Sequence, residues 1–117
     1  MSYVDGFVLP VPKKNLDEYR RLASEAGALW KEHGALEFRE CVGEDLDGDM
    51  GLPFPKALNV KAGETVVFSW IRYESREHRD EVNRKVMEDP RMAEMPAEMP
   101  FDVDRMLYGG FEVIVEA

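Results

Sequence analysis

Between Thr65 and Glu74 the chain reads Thr-Val-Val-Phe-Ser-Trp-Ile-Arg-Tyr-Glu. In an extended strand this puts Val66, Phe68 and Trp70 on one face and Val67, Ile71 and Tyr73 on the other. A strand with one wet face alternates apolar and polar residues, whereas one apolar on both faces has to be covered on both sides. The segment therefore belongs in the middle of a sheet. One set of helices can cover one face, and something else has to cover the second.

The other elements follow from local pattern. Tyr3 to Val11 is rich in β-branched and aromatic residues and predicts a first strand, with Pro10 and Pro12 halting its pairing. Asn15, with Glu18 three residues on, has the spacing of a reciprocal helix cap. Leu16, Tyr19, Leu22, Ala23, Ala26, Leu29, Trp30 and His33 then recur at helical spacing as far as Gly34, which predicts a helix over 16–33. A half-apolar strand is expected over 35–43. The acidic, proline-rich connection 44–63 leaves room for a short extra strand near 57–60. Ser75 is placed to cap a second helix running to Glu88, with His78, Val82 and Val86 as its buried stripe and Arg76 paired with Asp80 outside. Asp89-Pro90 ends it. The Met- and Pro-rich run 91–105 predicts one helical turn and loop, and Gly109-Gly110 leads into an edge strand at Phe111–Glu116.

This order, β-α-β-β-α-β over one domain spanning 1–117, is that of an α+β ferredoxin-like fold with a four-stranded antiparallel sheet and both helices on one face. The uncovered second face predicts a homodimer in which two sheets close into a dimeric α+β barrel. A long internal loop folded over that face is the competing cover.

Charge and composition exclude several function classes. With 24 acidic against 15 basic residues, the net charge of -9 repels phosphate backbones and anionic membrane surfaces, so neither nucleic acid nor membrane is expected as a partner. No run approaches the ~18 apolar residues of a membrane span, and the first residues lack a signal-peptide pattern, which together predict a cytoplasmic protein. The single Cys41 cannot form an intrachain disulfide. Asp45-Leu-Asp-Gly-Asp-Met has alternating carboxylates, but Met50 and Lys56 stand where a calcium loop needs glycine and glutamate. His33 and His78 belong to no spaced ligand set, and no phosphate-cradling glycine loop is present, so no metal and no cofactor is expected.

The stretches Tyr3-Val-Asp-Gly-Phe-Val8, Val66-Val-Phe-Ser-Trp-Ile71, Arg79-Asp80 with Asn83, Asp89-Pro-Arg-Met92, Met99-Pro-Phe-Asp102 and Arg105-Met-Leu-Tyr-Gly-Gly-Phe111 resemble the YbaA-like proteins, an uncharacterised bacterial family of dimeric α+β barrels. The resemblance covers nearly the whole chain and departs from the family pattern at Glu74 and at Val103-Asp104. It implies the ferredoxin-like dimer and brings no catalytic residue with it.

The residues themselves offer one candidate pocket, where charged groups border aromatic surface: Asp5, Phe7, Glu40, Trp70, Arg72, His78 and Asn83. No catalytic residue is assigned. The leading expectation is a homodimeric small-molecule-binding or housekeeping domain for a small hydrophobic ligand, without catalysis. A cofactor-independent enzyme of monooxygenase or isomerase type is the second expectation, and an acidic protein-interaction module the third.

Overall fold

The computed structural model describes residues 2–117. Its strands are β1 (Tyr3–Pro12), β2 (Glu37–Val42), β3 (Glu64–Tyr73) and β4 (Leu107–Glu112). Its helices are α1 (Leu16–Glu32), the short α2 (Phe54–Ala57) and α3 (Arg76–Glu88), and 3₁₀ turns lie at Lys13–Asn15, Pro90–Glu94 and Val103–Arg105. The strands form one antiparallel sheet in the order β2-β3-β1-β4. β3 is central, as its double-sided hydrophobicity requires.

Register separates the two faces. Tyr3, Asp5, Phe7, Leu9 and Val11 of β1 lie opposite Tyr73, Ile71, Ser69, Val67 and Thr65 of β3, and this face carries the helices. Its core has two parts. Leu29 of α1 and Val82 and Val86 of α3 pack with Ala35, Ile71 and Tyr73, while Leu9, Val11 and Val67 pack under Leu16, Tyr19, Phe101 and Met106. Gly27 lets α1 sit low on the sheet, because a Cβ there would come within 2.9 Å of the Phe38 ring. On the opposite face lie Val4, Gly6 and Val8 of β1, Phe68, Trp70 and Arg72 of β3, and Leu107, Gly109 and Phe111 of β4.

Several local expectations are corrected. β1 does not stop at its prolines: pairing with β3 continues through Pro12, although β4 ends opposite Val8. Lys13 N–H donates to the Gly63 carbonyl at 2.8 Å, so odd residues of this stretch face β3 and the two prolines turn toward the unpaired side, where no N–H is needed. Asn15 does not cap α1 with its side chain; its Nδ2 donates instead to the Pro100 carbonyl at 3.1 Å, tying the helix start to the last loop. The segment near 57–60 is not a strand. Pro53 and Pro55 favour the first turn of a helix, and α2 forms there.

Asp80 pairs with its neighbour Arg79 at 2.9 Å rather than with Arg76. β4 starts four residues earlier than the alternation suggested and ends at Glu112. The two glycines read as a lead-in lie inside it because the sheet needs them there. A Cβ on Gly110 would fall on the Tyr3 hydroxyl, and one on Gly109 would press on the Phe111 ring at 3.4 Å. The Ser75 cap does form, its Oγ accepting from His78 N–H at 3.0 Å, and Gly34 closes α1 with φ of +117°.

The second face is only partly covered from within the chain. Phe54 of α2 packs edge-on against Phe68 with ring centroids 6.3 Å apart, so the long connection shields one end. Phe68 nonetheless remains 44% exposed, and Leu107 and Phe111 farther along the face are 55% and 59% exposed.

Candidate functional site

The sequence singled out seven residues for one pocket, and the structure distributes six of them over three places and leaves His78 outside all three. The division follows from the two-residue period of a strand, which sends Asp5 and Phe7 to the helix side and Trp70 and Arg72 to the other.

The first place is a polar cluster inside the helix-side core. Asp5 is 2% exposed in the middle of β1 and accepts from Arg79 Nη1 of α3 at 3.0 Å and from the Tyr108 hydroxyl of β4 at 3.3 Å. Arg79 also donates to Tyr108 at 3.0 Å and to the Tyr3 hydroxyl at 3.3 Å, with its guanidinium 5.0 Å from the Tyr3 ring centre. Its Nε is buried and lies 2.9 Å from Asp80 Oδ1, but off the direction of a hydrogen bond. One turn further along α3, Asn83 Oδ1 accepts from Trp30 Nε1 at 3.1 Å and from Tyr73 at 3.3 Å. Phe7 stacks on Tyr108 at 5.0 Å.

Burial raises the Asp5 carboxyl above its ordinary value despite the opposing Arg79 charge, and burial together with Asp5 raises the Tyr108 phenol. The cluster's polar groups bond chiefly to one another. It organises the meeting of β1, β4 and α3 around one ion pair.

Arg79, Tyr3, Tyr73 and Tyr108 were not singled out by the sequence reading. The available signal was Asp5 itself: a carboxylate in the middle of a β-branched strand needs a cationic partner, and a helix residue in phase with Asn83 at i+4 could supply it.

The second place is a groove of about 530 Å³ between α1 and β2, and it holds Glu40. Its walls include Leu16, Phe38, Val42 and Val67, while α1 turns the short side chains of Ala23, Ser24 and Ala28 toward it. The Tyr19 hydroxyl donates to Glu40 Oε1 at 2.6 Å. Glu40 is exposed along the groove, yet the walls around its carboxylate raise it above the ordinary range. Burial and the adjoining Glu40 charge push the Tyr19 phenol up strongly, so it stays a hydrogen-bond donor.

The third place is the open sheet face. A shallow concavity of about 560 Å³ lies over Gly6 and Gly109, bounded by Val8, Phe68, Trp70, Leu107 and Phe111. Trp70 Nε1 donates to Glu37 at 2.6 Å, which ties the indole to β2, and Arg72 follows two residues on. His78 joins none of these sites: its Nδ1 accepts from Glu74 N–H at 2.9 Å and its ring meets Tyr73 edge-on. Among the described residues no group of three or more His, Cys, Asp or Glu is placed to hold a metal ion, and no helix is long and apolar enough to cross a membrane.

This geometry defines a helix-backed, four-stranded antiparallel α+β protein with an ion pair in its core, a groove beside β2 and a bare apolar sheet face. Residues 2–103 match the family described as Protein of unknown function (DUF1428), and the chain belongs to that family. It is 49% identical over 116 residues to the protein named Uncharacterized protein YbaA of Escherichia coli strain K12, covering 99% of both chains, and equally similar to its Shigella flexneri counterpart. Among solved structures it is similar to a de novo designed protein, Foldit4, with a TM-score of 0.48 and 12% identity over 97% of this chain and 99% of that one.

Proposed function

We propose that the protein is a homodimeric small-molecule-binding domain, a ferredoxin-like fold whose open sheet face meets that of a second copy in a dimeric α+β barrel. The observation that carries this reading is the bare face. Phe68, Leu107 and Phe111 are each about half exposed on a surface that α2 shields only at one end. Burying a side chain of this size is worth about 1.5–3 kcal/mol, and a twofold arrangement doubles the number buried. The α1–β2 groove lies on the helix side, so the same interface leaves it open to solvent and to ligand.

A binding role fits the site better than catalysis. Neither groove is lined by Asp5 or His78, the two residues a proton-transfer mechanism would call on first. Native mass spectrometry of freshly purified protein tests both halves of the proposal. A dimer that carries or takes up a small apolar molecule supports it. A monomer throughout the micromolar range overturns the dimer, and a groove that binds no small molecule overturns the binding role.

A further inference from the structure

The ligand of the groove can be given a chemical class, an inference that rests on the binding role proposed above. We infer that the α1–β2 groove accepts a small, mainly apolar molecule with one hydrogen-bond-donating head, an O–H or N–H that docks on the Glu40 carboxylate.

The lining sets these requirements. Leu16, Phe38, Val42 and Val67 supply apolar walls, and Glu40 is the one carboxylate among the described lining residues. A carboxylate offers about four lone-pair positions, and the Tyr19 hydroxyl leaves room for a further donor. An anionic head would meet the Glu40 charge. Of the two cations in the lining, Lys31 already donates its ammonium to the Leu36 carbonyl at 2.9 Å, and Arg20 is solvent-exposed, where pairing with an anion is worth little.

Size limits the ligand as well. Ala23, Ser24 and Ala28 give α1 a wall of short side chains, and Phe38 fills the space under Gly27, so α1 bounds the groove without crowding it. A volume of about 530 Å³ falls within the usual range of small-ligand sites. The donating head can be a neutral hydroxyl or an ammonium; both satisfy Glu40, and the probes below separate them.

The experiment is amide chemical-shift titration of the full-length chain with 4-propylphenol, 3-phenylpropylamine and 4-propylanisole, the last having the same body and no donor. The expected result is that the phenol or the amine shifts the Ala23, Ala28 and Val42 signals at a concentration about tenfold lower than the anisole does, as a hydrogen bond to a charged acceptor implies. Which of the two leads tells whether the head is hydroxyl or ammonium. Glu40→Leu should erase the tenfold difference. Ala28→Leu, a good helix former at an exposed position, should fill the groove and abolish binding of all three.

Equal binding of donor and anisole probes overturns donor recognition while leaving an apolar binding groove in place. Absence of any groove shift at millimolar probe overturns the binding role itself. Donor preference that survives Glu40→Leu would place the acceptor elsewhere and sink the assignment.

Discussion

Replacing Arg79 with alanine tests the reading of the polar cluster. Asp5 is 2% exposed and the Arg79 side chain 13%, so the substitution leaves a carboxylate sealed among Tyr3, Tyr73 and Tyr108 with no cation beside it. Removing one partner of a buried pair costs about 3–5 kcal/mol, because the abandoned charge keeps its desolvation penalty. Domains of this size are stable by roughly 5–15 kcal/mol, and each kcal/mol shifts Tm by roughly 3–6 °C. Arg79→Ala should therefore lower Tm by on the order of 10–30 °C and displace the urea midpoint in proportion. Arg84→Ala is the control: that arginine makes three short contacts with Glu81 and Glu88, but all three side chains are about half exposed, and the loss should be small beside that of Arg79→Ala. Circular dichroism through heat and urea melts reads both variants. Equal, small losses in the two would show that the Asp5–Arg79 pair is energetically a surface pair and would refute the reasoning.

Gly110→Ala should destabilise by about 1–3 kcal/mol, since its methyl group would occupy the position of the Tyr3 hydroxyl, whereas Gly48→Ala, with open space around it, should be nearly silent in the same melts. Two carboxyls should respond to pH with opposite signs. Arg105 donates to both oxygens of Glu64 and holds its carboxyl down at about 2, so its stabilisation is complete above the unfolded value of about 4.5 and is lost as pH falls toward 2; Glu64→Gln should remove that acid-side slope. Asp5 is held up by burial, so its contribution is greatest below its unfolded value and declines as pH rises through the folded one, and Asp5→Asn should flatten that decline in urea titrations run at a series of pH values.

The central strand was legible in the sequence because its signal is a period: apolar residues facing both ways over ten positions admit no other place in a sheet. The Ser75 cap was legible because its partner lies three residues away. What escaped depends on distant or ambiguous partners. Asn15 has the local signature of a cap, yet its amide finds Pro100, which the sequence places 85 residues away. Gly109-Gly110 reads equally as a turn or as a close approach, and only the Tyr3 and Phe111 rings decide it. In the candidate pocket, adjacency along the chain suggested adjacency in space, but Trp70 and Arg72 share one sheet face while Asp5 and Phe7 share the other. The partner of Asp5 lies 74 residues away, at a separation that no local pattern encodes.

The exposed apolar face and its cover by a second copy can be tested most directly by sedimentation equilibrium of the wild-type chain and of Phe111→Glu at micromolar concentration. A wild-type mass twice the chain's 13.4 kDa, falling to the single-chain value in a variant that keeps its circular dichroism spectrum, is the expected result. A wild-type chain that sediments as a monomer while Phe68, Leu107 and Phe111 stay in water would contradict it.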